Sequence, residues 1–217
     1  MSKSKKVLYL GLDPSRWITQ GEITHIPLIH TAPYPFSHRE IQMAFAQIPS
    51  YTHFLFTSRT TPPIFVDYAA RAGFGLDLLE KKTSICLGKA TEEALSKTGL
   101  FSHYIAETPS AEGVVALLER LSLEEAYLFF PHSALARRVI PHYLQEKAVK
   151  HKALPLYTTR PSRVLLPDLA SFDEIIFTSP STVLAFRSLC THLPPFEKCR
   201  WIGLLTQQTL KQIWHQQ

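Results

Sequence analysis

The chain has 217 residues, 45% of them hydrophobic and 19% charged, with a formal net charge of +5. That is enough apolar content and length for one large or two small packed domains, with a basic excess that suits either an anionic partner or plain solubility. A disulfide scaffold is excluded: the three cysteines, Cys86, Cys190 and Cys199, are irregularly spaced and form no C-x-x-C, a usage that fits a reducing compartment.

The basic start "MSKSKK" leads into "KVLYLGL" at residues 6–12, which stops at Asp13-Pro14. The run is too short for a signal-peptide core, and no later run is long enough to span a bilayer, so a soluble, cytoplasmic protein is expected. Residues 6–12 are instead the first predicted strand. "THIPLIHTAP" at 24–33 is extended and bounded by prolines. Short apolar runs with β-branched and aromatic residues predict buried strands at 52–56, 84–87, 103–106, 126–130, 174–177 and 200–204. "HKALPLYTTRP" at 151–161 is a second extended, proline-bounded segment. Helices are predicted at 91–98, closed by Gly99, and at 110–121, with Ser110 as N-cap and Val114, Val115, Leu117, Leu118 and Leu121 on one side. Residues 133–146, 181–191 and 206–216 follow the same pattern. Strand and helix alternate along the chain, which predicts an α/β fold with parallel sheets.

The chain also repeats itself. "FTS" stands at 56–58 and 177–179, each time after a strand and before a helix. "CLGKATEEAL" at 86–95 matches "IGLLTQQTL" at 202–210, both giving Gly, two residues, Thr and a helix. "HIPLIHT" at 25–31 matches "ALPLYTT" at 153–159, and the opening strands "LYLGLDP" and "YLFFP" correspond. The offset drifts slowly (155 − 27 = 128, 178 − 57 = 121, 203 − 88 = 115), as expected for a duplicated half with small insertions and deletions. The first copy adds a strand and a helix after its Gly-x-x-Thr helix. One domain should therefore be smaller than the other, or be completed by the N-terminal strand.

In a parallel sheet, ligands meet the carboxyl ends of the strands. Thr57-Ser58, Thr178-Ser179, Thr91 and Thr206 are all expected there, each able to cap a helix whose free N–H groups attract carboxylate or phosphate. Ser and Thr are also ordinary caps; two such ends in each copy make a binding site the stronger reading. The two Pro-Leu segments resemble crossings between domains, which implies that one domain is inserted in the other. At one crossing position the copies differ: Ile29 in the first, Tyr157 in the second. A tyrosine there can donate a hydrogen bond or a proton to a ligand, or simply pack.

The ordered set "FLFTS", "CLGKAT", "LPLYTTRP", "IIFTSPSTVLAF" and "WIGLLT" resembles the uroporphyrinogen-III synthase family over most of the chain. The resemblance implies two similar flavodoxin-like parallel-sheet domains joined by a two-stranded linker, with the active site in the cleft between them. The implied division is an outer domain of residues 1–25 and 160–217, an inserted domain of 35–150, and linker strands at 26–34 and 151–159. The implied reaction closes the linear tetrapyrrole hydroxymethylbilane with inversion of its last ring and loss of water, without cofactor or metal; a monomer is the default expectation. By motif position Tyr157 is the implied catalytic tyrosine. Thr57, Ser58, Thr91, Ser179, Ser181 and Thr206 are implied substrate contacts, with Lys89 and Arg138 as basic candidates. The chain departs from the family pattern at Asp13, where many members have arginine, and at Pro131-His132, where many have Arg-Gly.

The other classes fare worse. The ten histidines are scattered, with no H-E-x-x-H and no paired Cys, which argues against a metal site. No G-x-G-x-x-G or P-loop occurs. Lys and Arg are dispersed rather than striped, which disfavours nucleic-acid binding. A non-catalytic module that binds a tetrapyrrole or another polyanion remains the alternative.

Overall fold

The computed structural model describes residues 4–14 and 21–215. The first three residues of the basic start and residue 216 of the last expected helix lie outside this range. The chain begins β1 (Lys5–Tyr9), β2 (Gly21–His25), β3 (Ile29–Pro33), α1 (Arg39–Ala46), β4 (His53–Phe56), α2 (Thr61–Arg71), α3 (Leu76–Leu79), β5 (Thr83–Cys86), α4 (Lys89–Ser96) and β6 (Tyr104–Ile105). It continues α5 (Ala111–Leu118), β7 (Tyr127–Ser133), α6 (Val139–Glu146), β8 (Lys150–Pro161), β9 (Glu174–Phe177), α7 (Pro180–Leu189), β10 (Cys199–Trp201) and α8 (Leu204–Trp214). Among the described residues no helix is long and apolar enough to cross a membrane.

Two compact units result, one of residues 1–30 and 159–217, the other of 31–158. In the second unit β8, β7, β4, β5 and β6 lie side by side, all parallel, with β3 on the outer edge of β8. Successive side chains of a strand face opposite sides, and the core divides accordingly. Phe54, Phe56 and Phe129 join Phe45 of α1, Phe65 and Tyr68 of α2 and Leu95 of α4 on one face. Leu55, Ile85, Leu128 and Phe130 join Val114 and Leu118 of α5 and Ile140 and Leu144 of α6 on the other. The first unit has the order β10-β9-β1-β2, again parallel. Its main core sets Leu8, Leu10, Ile175 and Phe177 against Phe186 of α7 and Leu210 of α8. At the amino end of this sheet Glu174, almost fully buried, is held by Lys5 Nζ at 2.7 Å and Arg200 Nε at 2.9 Å, an ion pair set that ties β1, β9 and β10 in register.

The repeat acquires a physical form here, because neither copy builds a unit alone. The first copy gives β1 and β2 to the first unit and β4, β5 and β6 to the second. The second copy gives β7 and the first half of β8 to the second unit, and β9 and β10 to the first. Where β3 and β8 meet, Tyr34 N–H donates to Leu156 O at 2.8 Å and Ser162 N–H donates to Leu28 O at 2.8 Å. Partner numbers fall as chain numbers rise, so this pair is antiparallel. The two bonds are images of each other under the sequence offset (156 − 28 and 162 − 34 are both 128).

All seven expected strands form. Three local expectations change. The helix expected at 133–146 starts only at Val139, because β7 keeps pairing with β8 as far as Ser133 opposite Tyr157. The segment 24–33 is two strands rather than one: β2 lies along β1, and β3 resumes after Ile26–Leu28, whose N–H groups at 26 and 28 bond to Tyr9 O and Leu10 O. Helix α1 was not expected. Its Ile41, Ala44 and Phe45 make one buried stripe, a short pattern at i, i+3 and i+4.

Candidate functional site

At the carboxyl ends of the strands the two copies build similar Ser–Thr turns, but Ser58, expected as a cap, does not cap α2, whose N-cap is Thr60 with no side-chain bond. In the second unit β4 ends in Thr57-Ser58, ahead of α2. Ser58 Oγ accepts from Thr60 N–H at 3.3 Å and lies 3.0 Å from Thr61 Oγ1, which is fully buried. In the first unit β9 ends in Thr178-Ser179, ahead of α7. Ser179 Oγ caps that helix by accepting from Thr182 N–H at 3.2 Å and lies 2.9 Å from the buried Thr182 Oγ1. Thr61 and Thr182 were missed by sequence reasoning although the signal was present. "FTSRTT" and "FTSPST" share the Thr three residues after the Ser as well as the Thr-Ser itself.

The copies differ where the crossing strands pass. Ile29 and Tyr157 are equally buried, each 5% exposed. Ile29 packs into the apolar core of the first unit. Tyr157 packs its ring into the core of the second, and its hydroxyl lies 2.7 Å from Ser58 Oγ. Among the described residues, only the second unit has a phenol joined to the Ser–Thr pair. One proton assignment runs Thr61 to Ser58 to Tyr157, which leaves the tyrosine proton free to be donated onward. The Tyr157 backbone is fixed from the other side, where its carbonyl accepts from Ala134 N–H at 2.8 Å and β7 bulges between His132 and Ser133.

The remaining predicted residues fall into two groups. Thr91 and Thr206 are not caps: they occupy the third position of α4 and α8, buried, and the caps are Gly88 and Gly203. At the second turn the backbone is left-handed, with Gly203 at φ 82°, a conformation that favours glycine. Ser181 is half-buried in the first turn of α7. Lys89 is exposed and paired with Glu92 at 3.0 Å; the hydrogen bond to that carboxylate pushes its pKa up. Arg138 caps α6 without a side-chain bond to it and lines a cavity of about 610 Å³ with Val115, Val139 and Tyr143, apart from Tyr157 and Ser58. In the first unit β1 and β9 approach so closely at these ends that a Cβ on Gly11 would sit 2.5 Å from Thr178 Oγ1.

Burial disfavours the thiolate form of every cysteine. All three are buried, and burial pushes Cys86 and Cys199 up to about 12 and Cys190 up to about 11. Among the described residues no three His, Cys, Asp or Glu side chains gather as a metal site.

His132, half-buried at the end of β7, titrates below its ordinary 6.5 because burial disfavours the imidazolium, partly offset by the bond from Nδ1 to Ser133 O at 2.7 Å. The unfolded chain then binds the proton more readily than the folded one, so the His132 contribution is complete above about 6.5 and is lost as pH falls below it. His53 has the same sign, from burial and then from His103. Between pH 7 and pH 5 the melting temperature of His132→Gln should therefore fall less steeply than that of the wild type. Parallel curves would refute this.

A family model described as Uroporphyrinogen-III synthase HemD matches residues 19–216. Compared by sequence with curated proteins, the chain finds no match. Among solved structures it is similar to the uroporphyrinogen-III synthetase from Helicobacter pylori, with TM-score 0.64 and 16% identity over 97% of this chain and 89% of that one. A mutant uroporphyrinogen III synthase from Thermus thermophilus gives TM-score 0.63 and 16% identity over 96% and 89%. The wild-type form of the latter gives 0.54 and 18% over 96% and 88%. At such identities the likeness is one of fold, and the match of the family model over nearly the whole chain identifies the family. The chain belongs to the uroporphyrinogen-III synthase family, cyclising lyases of haem biosynthesis that act on hydroxymethylbilane.

Proposed function

We propose that this chain closes hydroxymethylbilane to uroporphyrinogen III as a cytoplasmic monomer, with Tyr157 as the proton donor to the departing hydroxyl. The observation that carries the residue assignment is the 2.7 Å contact between Tyr157 and Ser58, a contact whose counterpart in the other copy lacks the phenol. The ring N–H and the departing hydroxyl together lose one water. The electrophilic methylene so formed is attacked by the substituted carbon of the last ring. The resulting spiro intermediate fragments and recloses at the unsubstituted carbon, which finally gives up its proton. Free substrate can close without inversion, so the protein's chief task is to hold one conformation, through orientation and fixed dipoles.

Thr57, Ser58, Ser179 and Ser181 contact the substrate's acetate and propionate arms. Lys89 and Arg138 supply positive charge. Thr91 and Thr206, being buried, act from beneath: they hold the starts of α4 and α8 while the backbone N–H groups of those starts reach the anions. The units are flavodoxin-like domains. Numbered by copy position, their strands follow the order 2-1-3-4, extended by a fifth in the second unit, which is the doubly wound order whose crevice lies between strands 1 and 3. Residues 1–25 with 160–217 form the outer domain, 35–150 the inserted one, and 26–34 with 151–159 the two-stranded linker.

The test is product identity. Purified protein is given freshly generated hydroxymethylbilane, and the porphyrin isomers are separated after oxidation. The type III isomer, formed faster than in buffer, is expected. Type I alone at the uncatalysed rate overturns the reading, and binding without closure would leave only a tetrapyrrole-binding module.

A further inference from the structure

The hydroxyl of Ser58 has three neighbours, and its bonding capacity limits how protons can be arranged among them. It accepts from Thr60 N–H at 3.3 Å and lies 3.0 Å from Thr61 Oγ1 and 2.7 Å from the Tyr157 hydroxyl. A hydroxyl has one proton and two acceptor positions. Thr60 N–H fills one position, so Ser58 donates to one neighbouring hydroxyl and accepts from the other. Two arrangements meet this count. In one, Tyr157 donates to Ser58 and Ser58 donates to Thr61. The Thr61 proton is then left without an acceptor: the residue is 0% exposed, and among the described residues Ser58 is the only partner of its hydroxyl. A buried donor with no acceptor carries its full desolvation cost. In the other arrangement Thr61 donates to Ser58 and Ser58 donates to Tyr157. The proton left over is then that of Tyr157, which keeps 5% exposure. The burial of Thr61 selects this second arrangement.

The other copy lacks this constraint. Thr182 Oγ1 lies 2.9 Å from Ser179 Oγ and 3.5 Å from Thr178 Oγ1, so its proton has two acceptors within reach, and Ile29 stands where the phenol would be. Resting on the donor role proposed above, we propose that Thr61 is a positioning residue: by giving its proton to Ser58 it fixes the direction of the hydroxyl chain and keeps the Tyr157 proton turned away from Ser58, toward the departing hydroxyl. Thr61 touches no substrate, being sealed at the first position of α2. Its effect runs through Ser58. When Tyr157 gives up its proton, the phenolate oxygen already accepts from Ser58, whose own oxygen already accepts from Thr61. No hydroxyl has to turn as the charge develops, which is preorganisation of the kind that lowers a barrier.

The test is Thr61→Val, which keeps the branched shape and removes the hydroxyl, beside Thr61→Ser, which keeps the hydroxyl. With hydroxymethylbilane, well below the melting temperature of each variant, Thr61→Val should lower kcat roughly fivefold, the worth of one neutral hydrogen bond, and leave KM unchanged. Thr61→Ser should restore kcat. In a Tyr157→Phe background Thr61→Val should cost nothing further, because Thr61 acts only through the phenol. An equal loss of kcat in both backgrounds overturns the inference, as does an unchanged kcat, a rise in KM or a failure of serine to restore turnover. If the wild type yields only the type I isomer, the function reading fails by itself. The hydroxyl direction is then decided separately by the infrared C–O stretch of Tyr157, isolated as the difference between wild type and Tyr157→Phe in protein with isotope-labelled tyrosine. Thr61→Val should move or broaden that band, since Tyr157 is then free to donate to Ser58, and Thr61→Ser should return it. A band that Thr61→Val leaves unchanged refutes the positioning role.

Discussion

Tyr157→Phe should lower turnover of hydroxymethylbilane by about two orders of magnitude, the lower end of what a positioned proton donor contributes. The ring stays, so the core contacts of the buried side chain stay with it. What is lost is the hydroxyl and its 2.7 Å contact with Ser58 Oγ, a neutral hydrogen bond worth about 1 kcal/mol to folding. Turnover and stability are therefore expected to separate: a large fall in kcat with a melting temperature only a few degrees lower. Ser58→Ala should lower kcat less, because Tyr157 keeps its own proton and loses only its orienting partner. In the double variant the two losses should not add, since both act on one proton path. Initial rates under single-turnover conditions measure all three. Unchanged turnover in Tyr157→Phe would remove the tyrosine from the chemistry and leave it a packed core residue.

Phe129→Ala should destabilise the second unit by about 3–5 kcal/mol. Phe129 is fully buried on the central strand β7. Its ring stacks on Tyr51 at 4.8 Å between centroids, meets Phe45 edge-on at 5.4 Å and lies 6.1 Å from Phe65. Truncation would leave a void walled by three other aromatic rings, each itself buried and unable to collapse into the space without breaking its own contacts. The prediction also has a location. The substituted core belongs to residues 31–158, whereas Trp201 and Trp214 lie in the other unit. The loss should appear in the denaturant midpoint followed by far-ultraviolet circular dichroism. A variant within 1 kcal/mol of the wild type would show that the cluster is loosely packed.

The two Ser–Thr turns could be read in the chain because their parts are local. Ser hydroxyls that accept from N–H groups two or three residues on are fixed by residues a few places apart. The repeat made them visible twice. Thr61 and Thr182 were legible in the same way, as a Thr three residues after the Ser in both copies. The roles of Thr91 and Thr206 were not legible. Whether a Thr near a helix start caps it or sits inside it depends on where the first turn closes, and glycine moved that point two residues upstream.

By itself the sequence determined that the fold is α/β, that seven of its strands lie where short apolar runs lie, that one half repeats the other, and that Tyr157 stands where its counterpart is isoleucine. These follow from periodicity and side-chain type, which act over one or two turns of chain. Only the tertiary structure decided the order in which strands pair within each sheet. Strand pairing joins segments distant in sequence, and nothing local distinguishes a copy that folds on itself from two copies that exchange strands. Here they exchange, and that exchange brings Tyr157 of the second copy to Ser58 of the first, 99 residues away.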